Sequence, residues 1–170
     1  MKPLALTLAF ASSLAFAQAK TDYSLNAGSV HFHVPPDWTA IMEKADGDPQ
    51  AVIFQVPDPA TQGTEDTASV TIKTRSLKSG DDFQSFVTDA FERAKGQGGY
   101  ENDSANKDST VHRYFVTRNK VRYLVRDAYQ MNGNVGVEVR CQRPLLDATT
   151  KAWNDQFDAS CTSVVASMKK

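Results

Sequence analysis

Six stretches of this chain alternate apolar with polar residues, and two others repeat apolar positions every three or four residues. In "VHFHV" (30–34) Val30, Phe32 and Val34 alternate with His31 and His33, the period of a strand with one buried face. Pro35 and Pro36 end it, because proline cannot donate to a ladder. "AVIFQV" (51–56) closes in Pro57-Asp58-Pro59, and "ASVTIKT" (68–74) sets Val70 and Ile72 against Thr71 and Lys73. Three further β-runs are "TVHRYFVT" (110–117), "KVRYLVRDAYQM" (120–131) and "NVGVEVRC" (134–141). Asn132-Gly133 between the last two is the signal of a type I′ hairpin.

Between the two groups of strands, Phe83, Phe86, Val87, Ala90, Phe91 and Ala94 make one helical stripe. Asp81 is its expected N-cap, with Gln84 three residues on, and Gly96 and Gly98 stop it. A second helix is expected over 150–168, on Trp153, Phe157, Cys161, Val164, Val165 and Met168, with Asp147, Thr149 or Thr150 as its cap. The predicted order is β-β-β-α-β-β-β-α. Tight hairpins demand antiparallel pairing, and helices placed after runs of strands define an α+β fold. No internal repeat divides the chain, so 20–170 reads as one domain.

Cysteine usage sharpens this picture. Cys141 shares a strand face with Val135, Val137 and Val139, and Cys161 lies on the apolar stripe of the last helix. Both sulfurs point into one core, and a bridge closing a loop of about twenty residues contributes roughly 3 kcal/mol. The first segment supplies the oxidising compartment. "MKPLALTLAFASSLAFAQAK" has one basic residue at Lys2 ahead of an apolar run, then Ala15-Phe16-Ala17 and Ala17-Gln18-Ala19, small-residue patterns suited to signal cleavage. Residues 1–19 are therefore expected to be a signal peptide, and the mature chain a periplasmic or secreted protein with no integral membrane segment. The disulfide Cys141–Cys161 follows as an expectation.

The formal net charge of −1 gives no reason to expect a nucleic-acid partner. Charge is unevenly spread, though: residues 43–67 are acidic and 111–143 basic, which suits a surface that steers a charged partner.

The opening "FHVPPDW" (Phe32, Pro35, Pro36, Trp38), the strand triplet, the Asp81-Asp82-Phe83 helix start, the long hairpins and the closing "VVASMK" resemble the PsbP-like superfamily. That group includes DcrB-like periplasmic proteins and Eag-type effector chaperones. The resemblance implies an antiparallel sheet packed with helices, no catalytic residues, no cofactor, and a role in binding or assembly. The absence of a lipid-bearing cysteine departs from many DcrB-like proteins, and the signal segment departs from the cytoplasmic chaperones.

Few residues carry candidate chemistry. His31 and His33 lie about 7 Å apart along one strand face, close enough to chelate one metal, and His112 would complete a three-histidine zinc site of hydrolase type. No acidic residue flanks them within their own strands, and alternation calls for polar residues opposite Phe32 and Val34, so a solvated or semi-buried strand face is the favoured reading. Arg122 and Arg126 form a basic stripe with Arg140 if all three share a sheet face. Trp38, after the Pro-Pro corner, either plugs one end of the sheet or meets a partner. "KGQGGY" (95–100) follows a helix, whereas a phosphate cradle precedes one. The sequence thus points to a non-catalytic binding protein whose partner is another protein of the periplasm. One form of that role is immunity against a secreted effector; a metal-dependent enzyme is the alternative.

Overall fold

The computed structural model describes residues 20–168. The expected signal segment, 1–19, lies outside them, as do Lys169 and Lys170. The described residues form nine strands and two α-helices: β1 (Thr21–Leu25), β2 (Val30–Val34), β3 (Thr39–Lys44), β4 (Gln50–Val56), β5 (Ala68–Ser76), α1 (Gly80–Lys95), β6 (Glu101–Asn102), β7 (Val111–Arg118), β8 (Val121–Asn132), β9 (Val135–Pro144) and α2 (Lys151–Ser167). Seven strands make one antiparallel sheet in the order β3-β4-β5-β9-β8-β7-β6, while β1 and β2 form a separate hairpin. The fold is α+β, and the six alternating runs and both helices occur in the expected order. Three strands were not expected: β1, β3 and β6.

One face of the sheet carries the main core. Val52, Phe54 and Val56 of β4, Val70 and Ile72 of β5, and Val135, Val137 and Val139 of β9 project from it. They meet Val30, Phe32 and Val34 of the hairpin and Phe157, Val164 and Met168 of α2. The bridge Cys141–Cys161 ties β9 to α2 inside this core, with Cα atoms 6.4 Å apart and a separation of 20 residues. Helix α1 lies on the opposite face. Its Phe86 and Phe91 pack on Tyr129 and His112, and Ala94 joins Tyr114, Val116, Tyr123 and Val125 in a second core.

Local chemistry explains the joints. Helix α1 starts two residues earlier than expected: Ser79 is the N-cap, and its backbone N–H donates to the Asp82 carboxylate, completing a capping box. Thr150 caps α2 by accepting from the Trp153 amide. The β8–β9 register pairs Asn132 with Val135, so the turn is Gly133-Asn134, one residue later than Asn132-Gly133. Gly133 alone has positive φ there, 59°, which makes it a type II′ turn. The type I′ turn joins β7 to β8 instead, at Asn119 (φ 48°) and Lys120 (φ 69°). That tight turn fixes the register on which the site below depends.

Candidate functional site

The two faces of the sheet are covered unequally. Helix α2 and the β1–β2 hairpin cover β4, β5 and β9, and the core they enclose takes no residue from β7 or β8. The same face of β7 and β8 is left beside α2 as an open half, in which Leu124 is buried, Phe115, Arg113 and Arg126 are half-buried, and Thr117 and Arg122 are exposed. Three cross-strand rows occupy it. Arg113 pairs with Arg126, Phe115 with Leu124, and Thr117 with Arg122. The second row continues into Arg143 of β9, and the amide of Leu145, itself 38% exposed, bonds to the Arg122 carbonyl beside the third.

Each arginine is held differently. Arg113 pairs with Asp103 at 3.1 Å, and Arg143 with Asp158 of α2 at 3.4 Å. Arg122 lies over the Phe115 ring, 3.9 Å from its centroid, and reaches Glu101 at 2.7 Å. Arg126 has no ion-pair partner among the described residues. It donates to neutral oxygens only, the Thr162 hydroxyl at 2.8 Å and the Asp158 carbonyl at 3.3 Å. It also stands directly across from Arg113, an arrangement that costs stability because like charges face each other. A groove of about 300 Å³ runs between Arg113, Leu124 and Arg126 on the sheet and Asp158, Ala159 and Thr162 on α2, bounded by Asn106 and Asp108. The carboxylate of Asp108 is occupied by the Thr110 amide at 2.9 Å and hydroxyl at 2.5 Å, which hold its pKa below the ordinary 3.8. Planar guanidinium groups around an apolar strip suit carboxylate-bearing partners. No nucleophile with an adjacent base lies among these lining residues.

The other expected residues fall elsewhere. Arg140 does not extend the stripe of Arg122 and Arg126. Arg126 is opposite Cys141 in the ladder, so the next residue back, Arg140, projects from the other face. There it grips the fully buried Asp127 with two bonds, both 2.8 Å, and reaches Glu138 at 3.0 Å. Tyr114 and Tyr129 donate to the same Asp127 carboxylate at 3.1 and 3.3 Å. Burial disfavours the Arg140 charge, but the Asp127 hydrogen bonds and charge outweigh it and hold the pKa above its ordinary value. Burial pushes both tyrosines up, with Asp127 adding to it, and raises Glu138. This network anchors the face under α1, with Arg93 of α1 3.7 Å from Glu138.

Trp38 is 8% exposed and packs against Phe54 at the end of the main core, so it offers no free surface. The three histidines occupy two layers. His31 and His33 point outward from β2, where His33 pairs with Asp22 of the neighbouring β1, an acidic partner that reading a single strand could not find. His112 is buried beneath α1 on the far side of the sheet, between Phe91 at 3.9 Å and Tyr114 at 4.5 Å. The three rings do not converge, because β2 packs with α2 and His112 projects from the opposite sheet face. Among the described residues no group of three or more His, Cys, Asp or Glu side chains is placed to hold a metal ion. Phe115 and Leu124 were missed in the sequence, and Arg113 and Arg143 were legible only as members of the basic stretch 111–143, not as site residues. Hairpin register around Asn119-Lys120, which pairs Arg113 with Arg126, was the signal that could have found Phe115, Leu124 and Arg113.

Among the described residues no helix is long and apolar enough to cross a membrane. No family model matches the chain, and no curated protein matches it significantly in sequence. Solved structures do resemble it. A protein of Bacteroides thetaiotaomicron VPI-5482 aligns with a TM-score of 0.52 and 14% identity over 90% of this chain. The present chain spans 49% of that protein's length. A variant of Mog1 aligns at 0.47 with 16% identity, covering 88% of this chain and 93% of its own. LpqN, described as involved in cell envelope biogenesis of Mycobacterium tuberculosis, aligns at 0.44 with 12% identity, covering 88% and 83%. At such identities the likeness is one of fold.

Proposed function

We propose that this is an exported, non-catalytic accessory protein of PsbP-like type that binds another protein through the open half of its sheet. One observation carries the reading: half-buried Phe115, backed by the buried Leu124, lies among Arg113, Arg122, Arg126 and Arg143, and Arg126 has no carboxylate within ion-pair distance among the described residues. Arginine and aromatic side chains are the residues that protein interfaces concentrate. The signal-like pattern of 1–19 and the Cys141–Cys161 bridge support an oxidising, extracytoplasmic setting. A secreted effector acting in the periplasm is one partner of this kind, which would make the protein an immunity factor.

The test is site-specific photocrosslinking in cells producing the full chain. A photoreactive residue at Phe115 should give a discrete adduct with another protein, and one at Asp89 on the exposed side of α1 should not. Equal labelling from both positions, or from neither, would refute the assignment of this face. A toxin gene adjacent to this one supports the immunity form, and a solitary housekeeping context opposes it.

A further inference from the structure

The spacing of the open face specifies more than the fact of a partner. This inference rests on the assignment of that face and concerns what docks there. Residues two apart on a strand are about 7 Å apart, so the rows Arg113/Arg126, Phe115/Leu124 and Thr117/Arg122 repeat as basic, apolar, basic at that interval. An extended polypeptide has the same two-residue repeat. We propose that this face binds an extended acidic segment of a partner protein, with carboxylates at positions i and i+4 and an apolar side chain at i+2. One carboxylate sits between Arg113 and Arg126 and relieves their opposition. The apolar side chain rests on the exposed part of Phe115, which the buried Leu124 backs, against the partly exposed Leu145. The second carboxylate meets the guanidinium edge of Arg122 that Glu101 leaves free.

Two features favour this occupant over a simple anion. The apolar row separates the basic ones, which a phosphate would leave uncovered. The carboxylates already present, Asp103, Asp158, Glu101 and Asp108, are drawn to arginines or turn amides rather than filling the centre. They repel a uniformly anionic surface while leaving Arg126 to a spaced ligand.

The experiment uses the full mature protein and three labelled peptides of one length, the first two of one composition, followed by fluorescence anisotropy. The first has the order Glu-Ser-Leu-Ser-Glu, the second places both glutamates together, and the third replaces them with glutamines. The spaced peptide should bind most tightly, and Arg126→Glu or Arg122→Ala should weaken it by about tenfold or more. Lys151→Ala, at the exposed start of α2, should leave it unchanged. Thermal melts of each variant show that the fold is intact. Equal binding of spaced and clustered peptides overturns the proposal. So does competition by inorganic phosphate or by phosphatidylglycerol vesicles that depends equally on Arg126. If photocrosslinking from Phe115 finds a partner while no spaced peptide binds, the face stands as an interface and this account of its ligand falls.

Discussion

At the scale of single residues, the face under α1 depends on charges the fold has taken out of water. The Asp127 carboxylate has no exposed surface and is held by Arg140, Tyr114 and Tyr129. Such a pair adds little over a well-packed apolar one, but removing one partner leaves the other buried and uncompensated. Asp127→Ala should therefore lower the unfolding free energy by about 3–5 kcal/mol, read from urea denaturation; a loss below about 1 kcal/mol would mean water replaces the carboxylate. His112 gives a pH prediction. Burial lowers its pKa from the ordinary 6.5, opposing the pull of Asp127, and Arg140 and Lys95 lower it further; Phe91, Tyr100 and Tyr114 face the ring. Its Nδ1 is buried without a protein partner. The unfolded chain thus takes up a proton that the folded chain resists, so this contribution is present above pH 6.5 and is lost as pH falls through the lower folded value. Glu138 has the opposite sense: raised by burial from 4.5, it favours the fold below that value and less as pH rises through its folded pKa. Comparing His112→Phe with the parent isolates the histidine. The parent's urea midpoint should fall more than the variant's between about pH 7 and about pH 5. Parallel curves would show that the ring does not titrate against the fold.

At the scale of elements, the bridge is the most consequential joint, since it is the covalent tie between α2 and β9, which otherwise meet through the shared core and the Arg143–Asp158 pair. The purified protein should be about 2 Da lighter unreduced than reduced, and the Cys141→Ala, Cys161→Ala pair should be about 3 kcal/mol less stable. Two thiols open to alkylation in the native, unreduced protein would contradict the bridge. Its legibility in sequence came from two independent periodicities, which placed each sulfur on an inward face. The same periodicities revealed six strands and both helices, because each of those elements buries one side. They were silent where burial is absent. All six residues of β3 are exposed, including Ile41 and Met42, and β6 has only two residues. Tyr23 and Leu25 of β1 give too few apolar positions to establish a period. The Ser79 cap and the Gly133-Asn134 turn were each displaced from their expected positions because neighbouring residues offered equivalent local chemistry and tertiary packing chose between them.

Across the described residues as a whole, the sheet is a shared wall with a core on each side and one partly covered quarter. That quarter was only partly legible. Arg122 and Arg126, four apart on one strand, had to share a face, but Arg140 sits on another strand, and only register across the ladder decides its side. The same register brings Phe115 against Leu124, a contact invisible to any single run of sequence. Uneven coverage also predicts uneven stability. Amides of β5 and β9 are bonded on both sides and lie over the main core, whereas β3 and β6 terminate the sheet. Local opening takes less free energy where backbone bonds are exposed and few apolar contacts must break. Native-state hydrogen exchange followed by mass spectrometry should show β3 and β6 exchanging first, then the β1–β2 hairpin, with β5 and β9 slowest. Reducing the bridge should accelerate α2 and the hairpin it packs against well before β8, whose second face is secured by α1 and the Asp127–Arg140 network. Uniform acceleration of every strand on reduction would show instead that the two cores open as one cooperative unit, with the sulfurs holding the entire sheet rather than one layer of it.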